Sequence, residues 1–414
     1  MGKQRTGTDN CVTGFAFRLA GDAAMICLSS RPQASAACPT ATAARLARRR
    51  ARAWLLAAAL ATAAAVLAAP PAAAQPASGG APAGPTIVPF QPMTPGARPL
   101  SPRRAAGTPV AELAPVLLDT VVRVEAKVPG DAMSAESLGP RRVGTGVLLD
   151  RTTVLTIGYL LLEADEVEVV TATGKRIPAS VAGYDHQSGL GLVQTALPLE
   201  DARPIELGDS DAIAEMQRVL TLGHGEPAPT ELTVVSRKDF AGRWEYLLEK
   251  AIFTFPPVNN WSGAALFGPD GRLVGVGSLL VNDAASERRG VPGNLFVPVN
   301  ALKPILADLL ANGRRSGPAQ PWLGVTTEVV QGNLIVSKVT KDGPADRAGL
   351  VAGDVILSVG TDKVSNQSDF YRNVWKLGPA GVTVPLRVLK SGDVQEVSVQ
   401  SIDRMAMLRK PKGV

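Results

Sequence analysis

Cysteine is absent from everything after residue 38 of this 414-residue chain. Cys11, Cys27 and Cys38 all fall in the first stretch, so the remainder can build neither a disulfide framework nor a thiolate metal site. Histidine is almost as scarce. His186 and His224 are the only two, which excludes the usual histidine-rich zinc centre. A basic surface is missing too, although the sequence pI is about 9.3. Residues 1–74 carry nine basic side chains against Asp9 and Asp22, which leaves 34 basic and 35 acidic residues from position 75 onward. Such a balance gives no electrostatic case for nucleic-acid binding.

The basic residues at the start have a specific arrangement. Arg45, Arg48, Arg49, Arg50 and Arg52 precede an Ala/Leu/Val run over 53–69, which Pro70 and Pro71 stop before Ala72-Ala73-Ala74-Gln75. A positive region, an apolar run and an A-x-A site form a secretory signal. The run is shorter than the roughly 20 apolar residues that a spanning helix needs. Cleavage is therefore expected over anchoring, with no spanning membrane helix afterwards. Residues 1–44 form an N-terminal extension upstream of this 45–74 signal and fit a start codon called too early. Residues 75–108 hold eight prolines with no apolar periodicity and read as an extended linker.

From about residue 109 the pattern changes. Short β-type runs recur at 121–124, 146–149, 167–171, 190–193, 219–223, 232–236 and 273–276, with glycine-rich corners between them. This spacing predicts a mainly β sandwich or barrel. A helix is predicted over 301–310, with Asn300 as N-cap and Leu302, Ile305, Leu306, Leu309 and Leu310 on one face. Asn312-Gly313 ends it, and 313–319 reads as a short hinge.

Several motifs resemble those of the HtrA/Deg group of trypsin-like serine proteases, in that group's order. Residues 143–150 (VGTGVLLD) resemble its G-[ST]-G-V opening, 204–211 (PIELGDSD) its I-x-L-G-D-S-D stretch, and Leu222-Gly223-His224 its I-G-N-P turn. Residues 294–300 match the strand before the closing helix. The resemblance covers roughly 115–404 and implies a trypsin-like double β-barrel over 109–312, with the catalytic cleft between the barrels.

That chemistry needs a serine, a histidine to take its proton and an acid to orient the histidine. By the resemblance, Ser262 keeps the nucleophile position, Tyr159 stands at the histidine position and Gly189 at the aspartate position. The serine segment reads Asn260-Trp261-Ser262-Gly263, so Asn260 replaces the glycine whose N–H completes the oxyanion hole. A tyrosine of pKa about 10 is protonated at neutral pH and is no useful base. A serine deprived of its base loses a factor of order 10⁶ in kcat. His186 and His224 read as surface loop residues, and none of Lys175, Lys238 and Lys250 is placed by sequence beside Ser262. Ser262 can equally serve the local turn, its hydroxyl bonding backbone, with Trp261 filling the old cleft.

Residues 320–404 resemble a PDZ domain, a small α+β module, before a tail at 405–414. Residues 343–356 match its G-P-A-x-x-A-G-L-x-x-G-D-x-I run, the most specific motif in the chain. Residues 367–377 are the expected groove helix, and 382–389 and 394–399 its closing strands. Pro321-Trp322-Leu323-Gly324-Val325 resembles the loop whose N–H groups receive a peptide's terminal carboxylate, with the peptide added as an extra strand. Leu323, Gly324 and Val325 are thus the peptide-binding residues that the resemblance implies. The alternative is that this loop only packs on the protease-like domain. A peptide ending in Val or Leu is expected to bind as the free acid and far worse as the amide. The chain's own Val414 has the right chemistry to enter the groove.

The preferred reading is an exported, catalytically inactive HtrA-like protein that binds polypeptide C-termini or unfolded segments in envelope quality control, or regulates partner proteases. The alternatives are an active serine endopeptidase and a structural subunit of an envelope assembly. No cofactor or metal is expected, and a trimer is what the resemblance suggests.

Overall fold

Alternating apolar residues and glycine corners produce strands that close on themselves. The computed structural model describes residues 117–226, 228–285 and 290–410. The expected extension, signal and linker, and Val414, lie outside them. The first barrel comprises β1 (Val121–Lys127), β2 (Arg141–Leu148), β3 (Thr153–Ile157), β4 (Glu166–Val170), β5 (Arg176–Tyr184) and β6 (Leu190–Thr195). It closes in the order β1-β2-β3-β6-β5-β4. The second comprises β7 (Arg218–Leu222), β8 (Thr230–Gly242), β9 (Tyr246–Phe255), β10 (Ala265–Phe267), β11 (Leu273–Val281) and β12 (Gly293–Pro298), ordered β10-β11-β12-β9-β8-β7. Inward Val124, Leu148, Leu155, Val169 and Leu192 fill the first, and Val219, Val234, Ile252, Leu266 and Phe296 the second. Leu222, Phe253, Phe267 and Val276 extend a single apolar core across both barrels.

The helix predicted over 301–310 starts later than expected. Val299–Ala301 is a 3₁₀ turn, and the α-helix α1 occupies Leu306–Asn312, ending on Gly313 with φ +70°. Pro304 explains the delay, since its missing N–H and fixed ring are tolerated only ahead of a helix or in its first turn. Asn300 is not the cap of α1. Its side-chain amide bonds Asp209 at 2.7 Å and Asp211 at 3.1 Å instead. Leu302, Ile305 and Leu309 are buried, as their spacing predicted.

The C-terminal module is an antiparallel sheet of β13 (Val325–Val330), β14 (Asn333–Val339), β15 (Val355–Val359), β16 (Asp362–Lys363), β17 (Thr383–Lys390) and β18 (Asp393–Gln400). The order is β13-β14-β15-β17-β18, with β16 beside β15. Helix α2 (Gln367–Lys376), N-capped by Asn366, lays Phe370, Tyr371 and Val374 on the module's core. Leu247 of β9, from the second barrel, joins that same core. Among the described residues no helix is long and apolar enough to cross a membrane.

The segment joining barrels to module is fastened to the first barrel. Arg315 grips Asp185 through two bonds, Nε to Oδ1 at 3.0 Å and Nη2 to Oδ2 at 2.8 Å. The Asp185 side chain is 4% exposed and that of Arg315 33%. Burial alone would raise the Asp185 carboxyl, but hydrogen bonds from Arg315 and Ser188 outweigh it and hold the group below its ordinary range. The pair's stabilisation is therefore complete above the unfolded value of 3.8 and is lost as pH falls through the lowered folded value. Arg315→Gln strands a buried carboxylate and should cost about 3 kcal/mol at neutral pH, the low end for breaking such a pair. Urea midpoints of the two proteins measure this, and coincident midpoints would refute it.

Candidate active site and carboxylate loop

Ser262 lies between β9 and β10 in a loop pressed against β2 and β11. Thr145 donates its N–H to the Ser262 carbonyl at 2.8 Å, and Gly263 donates to Gly277 at 2.8 Å. Gly263 has φ +75°, and a Cβ there would sit 2.1 Å from the Thr145 carbonyl oxygen, so no other residue fits this turn. Asn260 leans on Gly223 and donates from its side chain to Glu226 at 2.6 Å. Trp261 is half-buried, and its carbonyl accepts the Ala264 N–H at 3.0 Å.

Tyr159 occupies the 3₁₀ turn Gly158–Leu160 that follows β3. Its hydroxyl lies 2.9 Å from Ser262 Oγ and 3.0 Å from the Ser278 carbonyl oxygen. A carbonyl only accepts, so a phenol with one proton satisfies both contacts when it donates to Ser278 and accepts from Ser262. Burial pushes the phenol up to about 12, against a smaller downward pull from the Ser262 bond. At pH 7 about one phenol in 10⁵ is ionised. The turn is clamped by buried Arg142 of β2, which donates to the carbonyls of Tyr159 and Leu162, each at 2.8 Å, and to Ser134 Oγ at 2.8 Å.

Gly189 is beside this turn, its carbonyl accepting the Gly158 N–H at 2.7 Å. No carboxylate is available from that position, and the site resists one. Its φ is +76°, and a Cβ would meet the Tyr246 hydroxyl at 3.0 Å. Tyr246 is held there by donating to the Ser188 carbonyl at 2.9 Å.

Both histidines are engaged elsewhere. His186 lies in the turn after β5 as expected, but half-buried, with its Nε2 enclosed. Burial drives it down to about 3, so it stays neutral, and its ring meets Tyr184 edge-on at 5.0 Å. His224 is half-buried, with Nδ1 3.1 Å from Thr145 Oγ1. Lys238 donates to the carbonyls of Asp283 and Ala285 and sits over Phe253. Among the described residues no histidine or lysine side chain is hydrogen-bonded to Ser262, and no group of three or more His, Cys, Asp and Glu could hold a metal ion.

The N–H groups of Leu323, Gly324 and Val325 converge as the resemblance implied, but on a carboxylate from within the chain. Glu245 Oε2 accepts from Leu323 at 2.8 Å, and Oε1 accepts from Gly324 at 2.7 Å and Val325 at 3.0 Å. Glu245 belongs to the three-residue tip of the β8–β9 hairpin. There Thr327 of β13 donates to the Arg243 carbonyl at 2.9 Å, and Tyr371 of α2 donates to the Gly242 carbonyl at 2.6 Å. Arg243 forms an ion pair with Glu328. Burial pushes the Glu245 carboxyl up, while the three N–H groups and Arg404 pull the other way.

Comparison with known proteins agrees with this architecture. Residues 144–276 match the family described as trypsin-like peptidase domain, and 321–400 the PDZ domain family. A probable periplasmic serine endoprotease, DegP-like, of Pseudomonas fulva is 27% identical over 274 residues, 62% of this chain and 55% of the relative. The chain carries a trypsin-like peptidase domain followed by a PDZ domain and is similar to HtrA/DegP proteases. The periplasmic serine endoprotease DegP of Salmonella typhimurium is 25% identical over 272 residues, 62% of this chain and 56% of its own. The HtrA-type protease AlgW, solved with a decapeptide, is 20% identical over 73% of this chain and 98% of its own, with a TM-score of 0.45. The chain thus spans little more than half the length of the curated relatives it matches.

Sequence reasoning missed Arg142 and Glu245. Arg142 carries no motif, but Arg in a strand beside glycines is a detectable oddity. Glu245 sits at φ +57°, where the last residue of a three-residue hairpin loop is usually glycine. A charged residue at such a point is a signal that can be sought.

The local geometry also predicts how repair should fail. Tyr159→His with Gly189→Asp should not restore family-like turnover, because a Cβ at position 189 crowds the Tyr246 hydroxyl at 3.0 Å, and because Asn260 and Trp261 still form the loop ahead of Ser262. Turnover of an unfolded protein by the double variant is the check. Rates like those of an active HtrA protease would show that the loop is competent.

Proposed function

We propose that this chain is an exported HtrA-like pseudoprotease. It binds polypeptides through its PDZ domain and serves envelope protein quality control or the regulation of partner proteases. The observation that carries this reading is the Tyr159 hydroxyl on Ser262 Oγ. A general base acts best with a pKa near the working pH, and this phenol lies at about 12. The group that meets the serine therefore holds its hydroxyl without activating it. The lack of a side chain at Gly189 supports the same conclusion, since nothing there could orient a base.

Location outside the cytoplasm is supported by the arginine cluster and Ala/Leu/Val run of 45–74 and by the periplasmic names of its relatives. Polypeptide binding is supported by the convergent N–H groups of 323–325 beside the edge strand β13 and the helix α2. A second reading, an active endopeptidase, is favoured by the retained Ser262-Gly263 pair and by the names of those relatives.

A fluorophosphonate probe and an unfolded substrate separate the two. The purified protein should neither be labelled at Ser262 nor cleave the substrate above background. Labelling or turnover that disappears in Ser262→Ala would overturn the pseudoprotease reading.

A further inference from the structure

We infer that the β8–β9 hairpin tip is an internal stand-in for the ligand of the PDZ groove, and that the partner which displaces it is a polypeptide with a free C-terminal carboxylate, an apolar last residue and a basic residue two positions before it. This rests on the reading of the module as a polypeptide binder and extends it to ligand chemistry and control.

The hairpin reproduces a bound chain end in several respects at once. A carboxylate accepts the N–H groups of Leu323, Gly324 and Val325. Two residues earlier, a backbone carbonyl accepts the N–H of Thr327 on β13, the kind of bond by which an added strand is held. Arg243 places a guanidinium on Glu328, which supplies the basic preference. Leu247 joins the apolar cluster that also holds Leu323, Val325, Phe370 and Val374, the kind of surroundings that a terminal Val or Leu would take.

The local backbone supports a role beyond turning the chain. Glu245 holds φ +57°, a left-handed conformation that side chains other than Gly, Asn and Asp adopt at a cost. Glycine would turn the hairpin with less strain. What glutamate adds is the carboxylate, delivered from 78 residues before the loop that receives it.

Self-occupancy weakens an external ligand by the fraction of molecules whose groove is free. If the hairpin fills the loop nine-tenths of the time, releasing it raises affinity tenfold. Glu245→Gly suits the observed φ, keeps the turn and removes the carboxylate.

The test titrates the full chain and its Glu245→Gly variant with a decapeptide ending Arg-Ser-Val, its C-terminal amide, and a version with Glu in place of that Arg. The variant should bind the free acid at least tenfold more tightly than the unaltered protein does, should bind the amide far less, and should bind the Glu version several-fold less. Equal free-acid affinity of the two proteins overturns the stand-in while leaving polypeptide binding intact. Failure of the variant to bind any peptide overturns both. Equal binding of acid and amide removes the carboxylate assignment, and equal binding of the Arg and Glu versions removes the basic preference. Hydrogen exchange on the unaltered protein gives an independent reading. Saturating free-acid peptide should speed exchange at residues 240–248, and unchanged exchange there means that the hairpin is not displaced.

Discussion

The carboxylate of Glu245 on three backbone N–H groups is the contact around which the described chain is arranged. Hydrogen bonds to a charged group are each worth roughly 1.5–3 kcal/mol net, and here three act on one side chain. They join the second barrel to the PDZ loop, with Leu247 in the module's core and Tyr371 bonded to Gly242 beside them. The neighbouring residue faces the other way. Tyr246 bonds Ser188 and covers Gly189, whose carbonyl receives Gly158 next to Tyr159. Consecutive residues of one hairpin thus touch the peptide loop and the Ser188-Gly189 segment, which is itself bonded to the turn that carries Tyr159.

This arrangement links the two unusual features of the molecule. At the serine, a hydroxyl that needs a base meets a neutral phenol. At the PDZ loop, N–H groups suited to a chain end meet an internal carboxylate. In both places a tertiary contact satisfies the groups that chemistry or binding would use. Buried polar groups must find partners, so a site that is not serving a ligand tends to be closed by the chain itself.

Much of this was legible in the sequence. The G-x-G opening at Gly144 to Gly146, the Ser262-Gly263 turn and the 343–356 run carry backbone requirements that few residues meet, so they marked the barrels and the module. Tyr159 meets Ser262, and Gly189 bonds the turn that carries Tyr159. The late start of α1 was encoded in Pro304, whose breaking effect competed with the apolar spacing of Leu302, Ile305 and Leu309. The burial of His186 and the reach of Glu245 were not legible, because both arise from contacts between segments far apart in the chain. A side-chain carboxylate that mimics a chain end leaves no local pattern.

With its pKa pushed up to about 12 by burial, the Tyr159 phenol facing Ser262 should stay neutral throughout the physiological range. The protein has four tyrosines, so ¹³Cζ-tyrosine NMR, with Tyr159→Phe to assign the resonance, reads it directly. The Tyr159 resonance should hold its protonated position from pH 6 to pH 9. A midpoint at or below pH 8 would show a phenolate able to accept the serine proton and would contradict the account.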